Sequence, residues 1–193
     1  MGPRAENCDV RMNDLIVIST WHGREEWARE CSESIERDHI VVTTDGFELG
    51  VLKWCFDHTS AERVVLLQDT NVIIDNLIFD LIDNTEGSIC LNHNERHYGC
   101  YTGVYERQGA EALRLPAVHN KAESIEQETA WNEAYAGWAL DCSQLTCWGE
   151  ITNPYRWVEV WHHRRWNVVY STRFLTKWQS QWGQTPLEDL RGP

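Results

Sequence analysis

Along the first half of the chain, short apolar runs alternate with stretches in which apolar residues recur about every fourth position. Leu15-Ile16-Val17-Ile18-Ser19 carries no charge and is rich in β-branched residues, the pattern of a strand buried on both faces. Thr20 to Gly23 then reads as a turn, and Arg24 to Glu36 as an amphipathic helix with Trp27, Cys31 and Ile35 on its apolar stripe. A second strand is predicted over His39 to Thr44, stopped by Asp45-Gly46. A helix over Glu48 to His58 follows, with Leu49, Leu52, Trp54, Cys55 and Phe56. Arg63 to Gln68 is the third strand and ends at Asp69-Thr70-Asn71. Asp75 to Asp83 is a helix with Asp75 as its N-cap, and Ser88 to Leu91 a short fourth strand.

Strands alternating with helices predict an α/β domain with a mostly parallel central sheet flanked by helices. In such sheets ligands sit beyond the carboxyl ends of the strands. That rule selects Ser19 to Trp21, Thr44 to Gly46, Gln68 to Asn71 and Asn92 to Asn94, all of them polar. The second half is less regular. His97 to Glu106, rich in Gly and Tyr, fits a strand or a loop, and Lys121 to Trp138 fits a helix marked by Ile125, Trp131 and Tyr135. Trp157 to Tyr170 alternates aromatic, basic and β-branched residues. Met1 to Asn13 reads as a loose leader and 184–193 as a tail, leaving one domain over 14–183.

Composition narrows the possibilities. The 193 residues suffice for one domain with a sizeable core, and no apolar run approaches the length that spans a bilayer. The leader has no apolar segment of the secretory kind. Seven cysteines, odd in number, with no C-x-x-C pair and no zinc spacing, read as reduced thiols in a cytoplasmic setting. Net charge is −13, divided unevenly: 11 Lys and Arg against 27 Asp and Glu as far as Tyr155, then 6 against 3 from Arg156 onward. The acidic bulk disfavours a sequence-independent grip on a polyanion, while the basic tail leaves room for a local phosphate patch. Eleven tryptophans, concentrated in the second half, offer flat faces suited to sugars and bases as well as to a core.

No G-x-G-x-x-G, no G-x-x-x-x-G-K-[ST] and no G-x-S-x-G is present, which disfavours Rossmann dinucleotide, P-loop and α/β-hydrolase chemistry. The informative segment is Arg63 to Ile74, where an apolar strand delivers Asp69 to the sheet edge, followed by Thr70 and Asn71. A carboxylate there can hold a hard divalent cation shared with a diphosphate, whose developing charge such a cation neutralises. It can equally serve only to end the strand.

Gly46 to Trp54, Arg63 to Thr70, His97 to Tyr101 and Lys121 to Glu128 together resemble glycosyltransferases of the GT-A fold, closest to the small family-two-like forms of tailed phages. The resemblance covers Leu15 to Gly183 and implies a nucleotide-sugar half over about 14–95 and an acceptor half over about 96–183. It implies that Thr20, Asp45, Lys53, Gln68 and Asp69 contact a nucleoside-diphosphate sugar, a UDP-sugar foremost. It places Asp69 at the first position of an acidic metal motif for Mn2+ or Mg2+, with Asn71 where a second Asp is usual, and a late His, here His162 or His163, completing the set. Arg164 and Arg165 would neutralise the diphosphate. An inverting transfer needs a base for the acceptor hydroxyl, and the family places it near a helix start: Glu123, then Glu126 and Glu128, with His119 and Asp141 as substitutes. The implied acceptor is a hydroxymethylated pyrimidine in phage DNA, or else a virion protein; no membrane partner is implied. A nucleotidyltransferase and a non-catalytic carbohydrate-binding module are the other readings. The nucleotidyltransferase is disfavoured by the glycine-poor loop Ser19 to Arg24.

Overall fold

The structure, a computed structural model, describes residues 14–91, 102–147, 158–162, 165–171 and 174–180. The first strand, β1 (Asp14–Thr20), lies between β2 (Ile40–Thr43) and β3 (Arg63–Gln68), parallel to both. Its side chains alternate between two cores. Val17 joins Val64 and Leu66 on one face, while Ile16 and Ile18 join Val65 and Leu67 on the other. Burial on both faces is why these strands are apolar without interruption.

Helices α2 (Phe47–His58), α4 (Arg107–Ala112) and α5 (Lys121–Cys142) belong to the first face, contributing Leu52, Phe56, Ala110, Trp131 and Tyr135 to its core. Helices α1 (Glu25–Glu33) and α3 (Leu77–Asp83) belong to the other, through Cys31, Ile78, Phe79 and Ile82. The α1 helix stops short of Glu36, and Ile35 is buried just past its end. The α3 helix starts at Leu77 with Asn76, not Asp75, at its N-cap position; Asp75 stands one residue earlier, and its carboxylate accepts the Leu77 amide at 3.0 Å. The α5 helix runs one turn beyond Trp138.

The sheet has six strands in the order β2-β1-β3-β6-β5-β7, where β5 is Ser88–Cys90, β6 is Gly103–Glu106 and β7 is Leu145–Cys147. The β6 strand runs antiparallel to both β3 and β5, so the short fourth strand of the sequence is not the neighbour of β3. The fold is thus α/β with a mixed sheet. Residues His97 to Tyr101 and Asn92 to Asn94 lie outside the described residues.

A second, four-stranded antiparallel sheet has the order β4-β10-β9-β8, with β4 at Asn71–Ile73, β8 at Val158–His162, β9 at Arg165–Ser171 and β10 at Leu175–Ser180. Within the alternating segment Trp157 to Tyr170, the described residues Val158–His162 and Arg165–Tyr170 belong to two strands that pair antiparallel. Their attachment is β10, which pairs Lys177 with Asn71 and Leu175 with Ile73. Phe174 and Leu175 are buried in the core that also holds Ile18 and Leu67. Among the described residues no helix is long and apolar enough to cross a membrane.

Candidate functional site

The carboxyl ends of β1 and β3 lie side by side, because Ser19 pairs with Gln68 and the Asp69 amide donates to the Ser19 carbonyl at 2.9 Å. Two side chains converge on the buried Asp69 carboxylate. Thr20 Oγ1 donates to Oδ2 at 2.9 Å, and the Arg24 guanidinium places Nη2 3.0 Å from Oδ1. Arg24 is at the N-cap position of α1 and was brought there by the turn after β1, in which its amide donates to the Trp21 carbonyl. Its guanidinium also lies 5.6 Å from the centroid of the Trp27 ring. Cys31, on the same helix, is buried behind the carboxylate. Burial first, and the Asp69 charge second, push its thiol far above the usual range, so it is an inert packing group.

An aromatic pair stands at the ends of β1 and β2. The Trp21 and Phe47 rings are 5.1 Å apart, and the Lys121 ammonium lies 5.5 Å from one and 5.6 Å from the other. Three separate segments meet here. Trp21 follows β1, Phe47 opens α2 and Lys121 opens α5. The meeting requires Gly46, whose missing Cβ would fall 2.4 Å from the Val118 carbonyl oxygen, so α2 and the approach to α5 touch backbone to backbone. Phe47 itself has φ +51°, which a bulky residue adopts rarely and at a cost of about 1–3 kcal/mol, and such strain tends to collect at binding sites. The Trp21 indole N–H is buried and has no acceptor among the described residues. Ring faces, a cation and an idle donor suit a planar, polar-edged ligand.

The other residues singled out from sequence are distributed unevenly. Gln68 donates to the Glu48 carboxylate at the same sheet edge. Asp45 is exposed at the end of β2. Lys53 pairs with Asp57 one helical turn away, at 2.7 Å. Asn71 is fully buried and donates from Nδ2 to Thr102 Oγ1 at 3.1 Å, while its Oδ1 has no partner among the described residues. His162 and Arg165 are paired in backbone register at the end of the β8–β9 ladder. Tyr170, which β10 places level with Lys177 and hence with Asn71, is five residues from Arg165, roughly 17 Å along a strand. The register therefore does not make His162 or Arg165 ladder neighbours of Asn71. His163 and Arg164 lie outside the described residues.

At the start of α5, Glu123 is a capping residue. Its carboxylate accepts from the His119 amide at 2.9 Å and from Asn120 Nδ2 at 2.6 Å, while its own amide donates to Asn120 Oδ1 at 3.0 Å. This is a reciprocal cap of the kind Asn-x-x-Glu can form, and that spacing was present in the sequence as a signal. Glu126 is exposed and Glu128 half-buried one to two turns on, and His119 is exposed. Asp141 sits twenty residues from Lys121 on the same helix, roughly 30 Å away, and so is removed from this end of the sheet. Replacing Glu123 by alanine is expected to lower stability by about 1 kcal/mol through the lost cap. Urea unfolding of that variant beside Glu126→Ala checks it; equal midpoints would refute the capping role.

The carboxylate that a divalent cation would use has both oxygens engaged, one by a hydroxyl and one by a guanidinium. A dication brought to Asp69 would meet the positive charge of Arg24. Asn71 adds one enclosed neutral oxygen, and the described residues contain no group of three or more His, Cys, Asp or Glu able to hold a metal. The described residues thus do not fit a metal site at Asp69.

Sequence reasoning missed Arg24, Trp21, Phe47 and Lys121 as site residues. Trp21 fell inside a selected strand end, and Phe47 and Lys121 opened two expected helices. Nothing in the local pattern said that these helix starts meet. No protein-family model matches the chain, and no curated protein matches it either.

Proposed function

We propose that the chain is a glycosyltransferase of GT-A type that moves a sugar from a nucleoside-diphosphate sugar, a UDP-sugar foremost, to an acceptor hydroxyl. One observation carries the reading. At the carboxyl ends of three parallel strands, the Trp21–Phe47–Lys121 group stands beside the Thr20–Asp69–Arg24 group, and Arg24 and Trp21 are joined by a backbone hydrogen bond. The first group suits a base, and the second, with an arginine, suits the phosphates that follow it. A mixed α/β sheet with helices on both faces is compatible with this reading.

In the proposed reaction the bond between the anomeric carbon and the phosphate oxygen breaks, and its electron pair leaves with the diphosphate. The acceptor oxygen forms the new bond to that carbon and gives up its proton to a carboxylate. Glu123, Glu126 and Glu128 are the proposed bases. Glu123 would have to release a cap contact to act, which Glu126 would not. The glutamine variant of the true base is expected to lose about a hundred- to ten-thousand-fold in kcat with donor affinity nearly unchanged. The acceptor we propose is a hydroxymethylated pyrimidine in DNA. Its support is the reversal from −16 to +3 in charge at Arg156 and the tryptophans that follow, which suit an extruded base and its flanking phosphates.

The test is a matrix of nucleoside-diphosphate sugars against hydroxymethylated DNA, unmodified DNA and protein acceptors, read by mass. Addition of one sugar to the modified DNA alone is the expected result. Sugar on protein would move the acceptor assignment, and sugar binding without donor consumption anywhere would leave a carbohydrate-binding module instead of an enzyme.

A further inference from the structure

The cation beside Asp69 is part of the protein. Arg24 is 14 % exposed along its side chain, packs over Trp27 and contacts Asp69 Oδ1 at 3.0 Å. That contact is an ion pair whose N–H is not aimed at the oxygen. Both Nε and Nη2 are buried with no hydrogen-bond acceptor among the described residues. A guanidinium offers five donors in a rigid fork, and leaving two of them buried without an acceptor is costly. An incoming phosphate supplies oxygens of the right charge and spacing for that fork. Asp69 meanwhile offsets the Arg24 charge while no anion is bound and, with Thr20, holds the fork in place.

We propose that Arg24 binds the diphosphate of the donor and carries its charge in place of a divalent cation, with Asp69 acting as the positioning residue. The inference rests on the reading of this site as one for a nucleoside diphosphate. Lys121, which lies over the aromatic pair at the same edge, supplies a second positive charge near the base-proximal phosphate. Sugar transfer is then independent of added metal. The charge that develops on the leaving diphosphate is met by a group already fixed before the reaction.

Binding, followed by tryptophan fluorescence and calorimetry on the full chain, provides the test, with UDP, uridine and inorganic pyrophosphate as probes. Each is measured in excess chelator and again with Mg2+ or Mn2+. UDP is expected to bind in chelator within about threefold of its affinity with metal. Arg24→Gln is expected to weaken UDP and pyrophosphate by about ten- to a hundredfold, the worth of hydrogen bonds to a charged group, and to leave uridine unchanged. Arg24→Lys should recover part of the loss, keeping charge without the fork. Because Arg24→Gln leaves Asp69 buried without its cation, the double variant Arg24→Gln/Asp69→Asn is measured too. It removes both charges and should show the same phosphate-specific loss. Loss of UDP binding in chelator, or unchanged UDP affinity in both Arg24 variants, overturns the proposal. Pyrophosphate binding through Arg24 without any response to uridine or UDP would keep the anion site and overturn the nucleotide reading. No binding of any probe to the unmodified chain overturns both.

Discussion

Asp69→Ala is expected to lower donor turnover, as kcat/KM, by at least about a hundredfold, the usual loss when one preorganised electrostatic element is removed from a site. Asp69 receives Thr20 and Arg24 at once. Without it the Arg24 fork loses the partner that fixes its position, and Thr20 loses its acceptor. The variant should still fold. Removing one partner of a fully buried ion pair costs about 3–5 kcal/mol, but Arg24 keeps some access to water and its cost falls below that range. Circular dichroism should therefore show native secondary structure alongside lost turnover. Asp69→Asn, which keeps an oxygen for Thr20 but no charge for Arg24, should lie between Ala and the unmodified protein. Turnover of Asp69→Ala within a few-fold of the unmodified protein would remove the donor site from this edge of the sheet.

The largest loss of stability is expected at the opposite edge, from Arg63→Met. Arg63 begins β3 and is 1 % exposed. Its Nε donates to Asp14 Oδ1 at 2.8 Å and its Nη2 to Asp14 Oδ2, closing a two-pronged pair. The same guanidinium donates to the carbonyls of Thr85 at 2.6 Å, Gly87 at 3.2 Å and Ile82 at 3.1 Å. One side chain thus ties β1, β3 and the chain leaving α3 together, satisfying carbonyls that a helix end leaves over. Methionine fills similar volume but leaves a mostly buried carboxylate and the Thr85 and Gly87 carbonyls without the Arg63 donors, while the Ile82 carbonyl keeps the Thr85 amide. About 3–5 kcal/mol should be lost, read as a fall in the denaturant midpoint at constant slope. Adding Asp14→Asn to Arg63→Met should restore part of it, since the uncompensated charge is then gone. A loss under about 1 kcal/mol would show that water reaches Asp14 and that the pair is not structural.

How far the sequence is legible differs between the two faces of this problem. The β1 and β3 strands could be read residue by residue. A strand covered on both sides must be apolar throughout, and few other elements give Leu15 to Ile18 or Val64 to Leu67. The rule that ligands sit beyond strand carboxyl ends then selected Thr20, Gln68 and Asp69 before any contact was known. Helices α2 and α5 followed from spacing, and the Asn120-x-x-Glu123 cap was available in the same way, though its carboxylate was instead assigned to chemistry.

Long-range pairing and charge pairing were decided only by the tertiary structure. The pairing of β6 with β3, and the attachment of β10 to Asn71–Ile73, join segments separated by dozens of residues. Their strength depends on which edges remain open after the core forms, and local hydrophobic period carries no record of that. Arg24 was one charged residue in an amphipathic helix until the turn after β1 set it against a buried carboxylate 45 positions away. Lys121 and Phe47 became neighbours only because Gly46 lets two backbones approach at Val118. Apolar patterning is repeated many times along a strand and so survives in the sequence. A site is a single meeting of a few side chains, and only the packed chain brings it about.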